Sequence, residues 1–204
     1  MSNEFTASIE GRELSLAAGE VRQMTLPLDQ GGRHRLVIAD SASAGQVVEA
    51  LESCPGVGVL PADGGLLGAL TVADNFALAL RYGSEFDDPL RDELDLAAAL
   101  ELCGLTAERV AMLGRVQPMN LDRIERWTLG FARWLLRPPE LLVIDRLFGG
   151  LARRQANALI ALEMIYHRRH PFRTVLFVDL DSHELPELPE CRSLTRLAES
   201  QCHY

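Results

Sequence analysis

Lysine is missing: all 20 basic side chains among the 204 residues are arginine. The absence removes the ammonium that a phosphate-gripping loop uses as a point charge, and arginine's wider planar fork does not replace it in a tight loop. Positive charge is scarce as well, because 29 acidic residues leave a formal net charge of -9. So acidic a chain does not offer the broad cationic surface that nucleic acid or an anionic membrane requires. None of the four cysteines, Cys54, Cys103, Cys191 and Cys202, stands in a CxxC pair, so neither a zinc site nor a redox motif is indicated and no metal is expected. No apolar run reaches the roughly 18 residues that cross a bilayer, and the opening "MSNEFTASIEGRE" has no apolar leader. The chain is therefore expected in the cytoplasm with reduced thiols, without direct membrane insertion, reaching the inner or plasma membrane only through a partner.

What is present is globular. Hydrophobic residues at 48% and charged residues at 24%, over this length, fit one sizeable core, or one core with a lobe attached, rather than two ordinary domains. A single α/β domain spanning 1–204 is expected. Residues 5 to 26 alternate apolar and polar around Gly11 and Gly19, the pattern of short antiparallel strands with tight turns. "RLVIAD", 35–40, "ELLVID", 140–145, and "TVLFVDL", 174–180, are continuous apolar runs and read as strands covered on both faces. "SASAGQVVEALES", 41–53, reads as a helix with Val47, Val48 and Leu51 on one face and serines as N-caps. The glycine-rich stretch 55–70 holds a short strand and a surface loop, and helical spacing dominates from Thr71 to Cys103 apart from the turn-like "YGSEFDDP". A second helix, about Leu121 to Leu136, stops before Pro138 and Pro139; a third, Arg153 to Arg169, joins the last two buried strands as a right-handed crossover.

Two stretches then combine. "VGVLPADGGLLGALTVADNFALAL", 57–80, resembles the segment after the Q-loop in ATP-binding subunits of ABC transporters, in particular the lipid-trafficking branch associated with MCE proteins. "GLTAERVAMLGRVQPMNLDRIERWTLGFARWLLRPPELLVIDRLFGGL", 104–151, is similar to that family's run from helical subdomain through signature motif to Walker B strand. The resemblance implies a P-loop NTPase-like sheet with N-terminal antiparallel strands and a helical subdomain over about 71–136. It also implies a site, whose residues can be carried over one at a time.

A phosphate loop works by backbone amides, a lysine and a metal-binding hydroxyl. At the matching place, "ADSASAGQVV", Ala39, Ala42 and Ala44 stand for the family's glycines, Gly45 for its lysine and Gln46 for its hydroxyl. Ser41, Ser43, Gly45, Gln46 and Asp145 make up the vestigial nucleotide site implied in this way. A second alignment, "PLDQGGRHRL", puts Arg33 at the lysine; the first is preferred because strand and helix then flank the loop. Ala62 matches the Q-loop glutamine, and "LDRIE", 121–125, the LSGGQ signature, so that Asp122 sets a carboxylate against a partner's γ-phosphate and Ile124 fills the glycine's space. Asp145 keeps the Walker B position, but Arg146 replaces the catalytic glutamate, Ala152 the D-loop aspartate and Leu180 the switch histidine.

These replacements imply no catalytic residue, no tight binding of ATP or magnesium, and a silent ATPase-like subunit. Its partner is a membrane permease, received through Asp63, Leu66, Leu67 and Leu70, the side that takes the coupling helix in the family. A second ATPase subunit or a second copy of the chain is the other partner considered, and a free regulator unrelated to transport is a third reading. Bland readings compete at several residues. Asp145 can simply pair with Arg146, the leucines can fold back onto the helical lobe, His183 reads as solvent-facing, and "HRRH", 167–170, complements a helix C-terminus. Trp127 and Trp134, seven apart, read as helix packing rather than a base-stacking platform.

Overall fold

In the computed structural model the described residues are 4–82 and 96–197. Most of the expected turn "YGSEFDDP", part of the 71–136 lobe, and Cys202 lie outside them. Strands β1 (Phe5–Glu10), β2 (Glu13–Ala18) and β3 (Val21–Pro27) form an antiparallel sheet in that order. Gly11 and Gly19 make its turns at φ of 63° and 58°, a conformation that strains any side chain bearing a Cβ.

The second sheet starts with β4 (Gly32–Ile38), which runs into α1 (Ser41–Glu52) and then β5 (Val57–Leu60). A helical lobe follows: α2 (Val72–Tyr82), α3 (Leu96–Leu102), α4 (Ala107–Leu113), a 3-10 turn at Pro118–Asn120, and α5 (Arg123–Leu136). The chain returns through β6 (Leu141–Asp145), α6 (Arg153–Arg169), β7 (Thr174–Leu180) and β8 (Cys191–Leu197). The order is β5-β6-β7-β4-β8, all parallel. One core joins the antiparallel sheet, α1 and one face of the parallel sheet; the other joins the opposite face to α5, α6 and the lobe.

Four features differ from the reading of the sequence. β4 starts at Gly32, three residues before the apolar run, with Arg33, His34 and Arg35 buried in it. The edge strand β8 was not expected because four of its seven residues are exposed, so it carries almost no apolar pattern. The seven-residue α4 also escaped notice. α1 is capped not by a serine but by Asp40.

α5 ties the lobe to the sheet. Trp127, Phe131 and Leu135, spaced by four, are all buried, and the Trp127 indole donates to the Ala62 carbonyl at 2.9 Å. Gly130 allows the crossing: a Cβ there would lie 2.5 Å from Leu60 Cδ1 and 2.7 Å from the Gly64 carbonyl oxygen. Alanine at this position gains roughly 1 kcal/mol of helix propensity but forces the helix off β5. Gly130→Ala is therefore expected to destabilise the protein by about 1–3 kcal/mol, measured by denaturant unfolding; a stabilised variant would contradict this packing.

Candidate functional site

Only Ala39 and Asp40 separate β4 from α1. A cradle that wraps an anion needs a longer loop, and Gly45 and Gln46 lie inside α1, within the helix read from residues 41–53. The first amides of the helix are already engaged. One Asp40 carboxylate oxygen accepts from Ala42 N and from Ser43 N, each at 2.9 Å, and the bond from Ser43 holds its pKa below the usual carboxylate value of 3.8. A helix N-terminus attracts an anion; here the chain supplies its own. The alternative placement of the loop on Arg33 fails, because Arg33 is in β4 at the far end of the strand and is 2% exposed.

The opposite wall comes from β6. Asp145 is its last residue and nearly buried. Arg146 follows at φ 46°, a left-handed conformation rare for a residue with a long side chain, held by its amide donating to the Val178 carbonyl at 2.8 Å. The turn folds the guanidinium back on its neighbour: Nε lies 2.5 Å from Asp145 Oδ1 and Nη2 lies 2.9 Å from Oδ2. Nη1 donates to Ser41 Oγ at 3.0 Å. One guanidinium thus spans from the end of β6 to the first residue of α1. A metal ion held by Asp145 would have to displace it.

A second buried pair supports the first. Asp179, in β7, is fully buried, with Arg35 Nε 3.1 Å from its carboxylate. Burial pushes its pKa up to about 6, and the nearby Asp145 adds to the effect. Arg35 packs against the rings of Phe148 and Phe177 and donates to the Pro186 carbonyl at 2.8 Å. The sequence reading missed this pair; its only signal was an aspartate inside an apolar strand, "FVDL", with arginine inside another.

The other replaced motifs have structural uses. Asp122 caps α5, accepting from Glu125 N at 2.8 Å, and Arg109 pairs with Glu125. Ile124 packs against the core. Arg123 stacks on Trp127 and donates to the Gly149 carbonyl at 3.0 Å, linking the signature segment to the D-loop segment. His183 is not solvent-facing: its ring lies against Gly149, where a Cβ would be 2.7 Å from its Cε1. Leu180 ends β7 with 9% exposure, Ala152 precedes α6, and His167 to His170 close that helix. Among the described residues no group of three or more His, Cys, Asp or Glu side chains is placed to hold a metal.

The arrangement matches solved structures. The dimeric structure of MJ0796, a bacterial ABC transporter cassette, superposes with a TM-score of 0.54 at 14% identity, covering 87% of this chain and 86% of that one. The post-hydrolysis dimer of the MJ0796 cassette bound to ADP and Pi gives 0.53 over the same coverage. The fold is that of an ATP-binding cassette. Over 125 residues the chain is 30% identical to Methionine import ATP-binding protein MetN 2 of Paraburkholderia xenovorans (strain LB400), a match spanning 61% of this chain and 30% of that protein's length. No family model matches.

On this cassette the four docking candidates do not form one apolar patch. Asp63 is exposed and accepts from Gly65 N at 2.9 Å, Leu66 packs on the core, Leu70 is half-buried, and of the three leucines only Leu67 is well exposed, at 52%. The loop is clasped rather than loose: Asn75 accepts from Leu67 N at 2.7 Å and donates to the carbonyls of Leu67 and Thr71. Beside it opens a cleft of about 580 Å³ lined by Val57, Val59, Arg133, Trp134 and Arg137. Among the described residues no helix is long and apolar enough to cross a membrane.

Arg146→Ala strands the nearly buried Asp145 carboxylate and frees the end of α1. It is expected to lower stability by about 1–3 kcal/mol, and Arg146→Lys, which cannot reproduce the two-pronged contact, is expected to recover less than half of that loss in urea unfolding. Asp179 gives a signed pH effect. Its pKa is raised, so its contribution is fully present below pH 3.8 and is lost as pH rises through about 6. Asp179→Asn should flatten the stability profile across that window.

Proposed function

We propose that the chain is a catalytically silent cassette, a pseudo-ATPase that serves as a structural or regulatory partner of a membrane permease. One observation carries this reading: the α1 N-terminus is capped by Asp40, and Arg146 fills the space between Asp145 and Ser41. A triphosphate brought there meets a carboxylate where it needs amides and finds no lysine. Two like charges 4 Å apart repel by about 1–4 kcal/mol between bulk water and a protein surface, and the site has no second cation to offset this. Asp122 adds a further carboxylate at the segment that would face a partner's nucleotide.

Docking is the retained part of the reading. The cleft beside the loop sets Trp134, Arg133 and Arg137 against Val57 and Val59, with Glu52 and Asp145 also on its wall, a surface suited to a short amphipathic segment of mixed charge. A coupling helix of a permease has that chemistry, and the name of the partly matching MetN 2 protein supports a transport setting. A lipid-trafficking permease of the MCE type is the finer proposal, resting on the resemblance of residues 57–80. The second reading, an ATP-binding subunit paired with an active ATPase, draws support from the dimers of the MJ0796 cassette and requires a signature segment that can take a phosphate.

Calorimetric titration with ATP and magnesium at millimolar concentration is expected to give no saturable heat, and hydrolysis no rate above background; a saturable isotherm would overturn the reading. Gly45→Lys is expected to remain silent, since residue 45 is inside α1 and not in a loop. Leu67→Asp should weaken co-purification with the permease from detergent extracts on the order of tenfold, about 1.4 kcal/mol, while leaving the melting temperature unchanged.

A further inference from the structure

We infer that residues 186–197 form a polar-anchored strap whose hold on the sheet is set by which of two glutamates, Glu163 or Glu190, takes Arg33. The inference concerns the end of β4 away from the nucleotide side and stands independently of the pseudo-ATPase reading.

The strap's attachment is polar. β8 pairs only with β4, and the apolar anchors of residues 186–197 that are buried are Leu188 and Leu197. Three successive buried polar residues of β4 reach it: Arg33 to Glu190 at 3.2 Å, His34 Nδ1 to Ser193 Oγ at 2.7 Å, and Arg35 to the Pro186 carbonyl at 2.8 Å. Arg192 returns the contact, donating to the carbonyls of Gln30 and Gly31 across the side-chain-free Gly32. Glu190 sits at φ 56°, a left-handed turn that aims its otherwise exposed carboxylate at Arg33.

Arg33 has a second claimant. Glu163, on α6, is fully buried with an oxygen 3.5 Å from Arg33 Nη1, too long for a hydrogen bond, and both its oxygens lack a hydrogen-bond partner. The interior therefore holds one guanidinium between two carboxylates and satisfies only the outer one. While Glu163 carries a proton, Arg33 is free to serve Glu190. Once Glu163 ionises, a buried charge with no hydrogen bond pulls Arg33 inward, away from the strap.

Burial pushes the Glu163 pKa up from 4.5 to about 7, with Arg33 opposing and Glu190 adding to the rise. The sign follows: the contribution of protonated Glu163 is fully present below pH 4.5 and is lost as pH rises through about 7. The other groups facing it do not titrate in the opposite sense above neutrality. His167 on α6 and His34 on β4 are held below 6.5 by burial, and the Tyr166 phenol is pushed up by burial.

Hydrogen exchange on the full chain tests this, read as protection factors for the amides of Ser193–Leu197 at roughly pH 6.5 and roughly pH 8.5. Protection is expected to fall on the order of tenfold at the higher pH, with β6 and β7 unchanged. Glu163→Gln should keep high protection at both values. Glu190→Gln, at an exposed carboxylate, should show low protection at both, and it serves if the core variant does not fold. Equal wild-type protection at the two values, persistence of the pH effect in Glu163→Gln, or wild-type protection in Glu190→Gln would each overturn the inference.

Discussion

A parallel sheet gathers the ends of its strands, and in this protein it gathers carboxylates there. Asp40 follows β4, Asp145 ends β6, and Asp179 lies near the end of β7. Asp40 is exposed, but removing the other two from water costs several kcal/mol each unless hydrogen bonds or cations answer them. Asp40 is answered by helix amides, Asp145 by Arg146 and Asp179 by Arg35. In each case the answering group belongs to the chain itself.

Internal contacts of the same kind extend into the helical lobe. Asp122 caps its own helix, Arg123 reaches Gly149, and Trp127 and Arg133 reach the carbonyls of Ala62 and Gly65. The bonds of Arg123, Trp127 and Arg133 tie the lobe to the sheet and its connections at three points, Gly149, Ala62 and Gly65.

Much of the frame was legible because it rests on local patterns. Unbroken apolar runs gave β6 and β7 to within a residue, the Pro138–Pro139 pair gave the end of α5, and Gly11 and Gly19 gave the turns of the first sheet. β8 left no such mark, since its attachment comes from Arg33, His34 and Arg35 on a strand more than 150 residues away. Asp40 was passed over as a cap because serines stood next to it, and backbone direction, not residue type, chose between them.

By itself, then, the sequence determined which chemical groups are available: no lysine, an arginine directly after Asp145, a leucine at the end of the 174–180 run. Those are facts of composition and order, and no folding can supply a missing functional group. Only the tertiary structure decided what the remaining groups do. Whether Arg146 would reach outward for phosphate or turn back on Asp145 depended on a left-handed turn pinned to β7. Whether the α1 N-terminus would stay open depended on a connection shortened to two residues, since hydrogen-bond geometry, unlike residue identity, exists only once strands and helices are packed together.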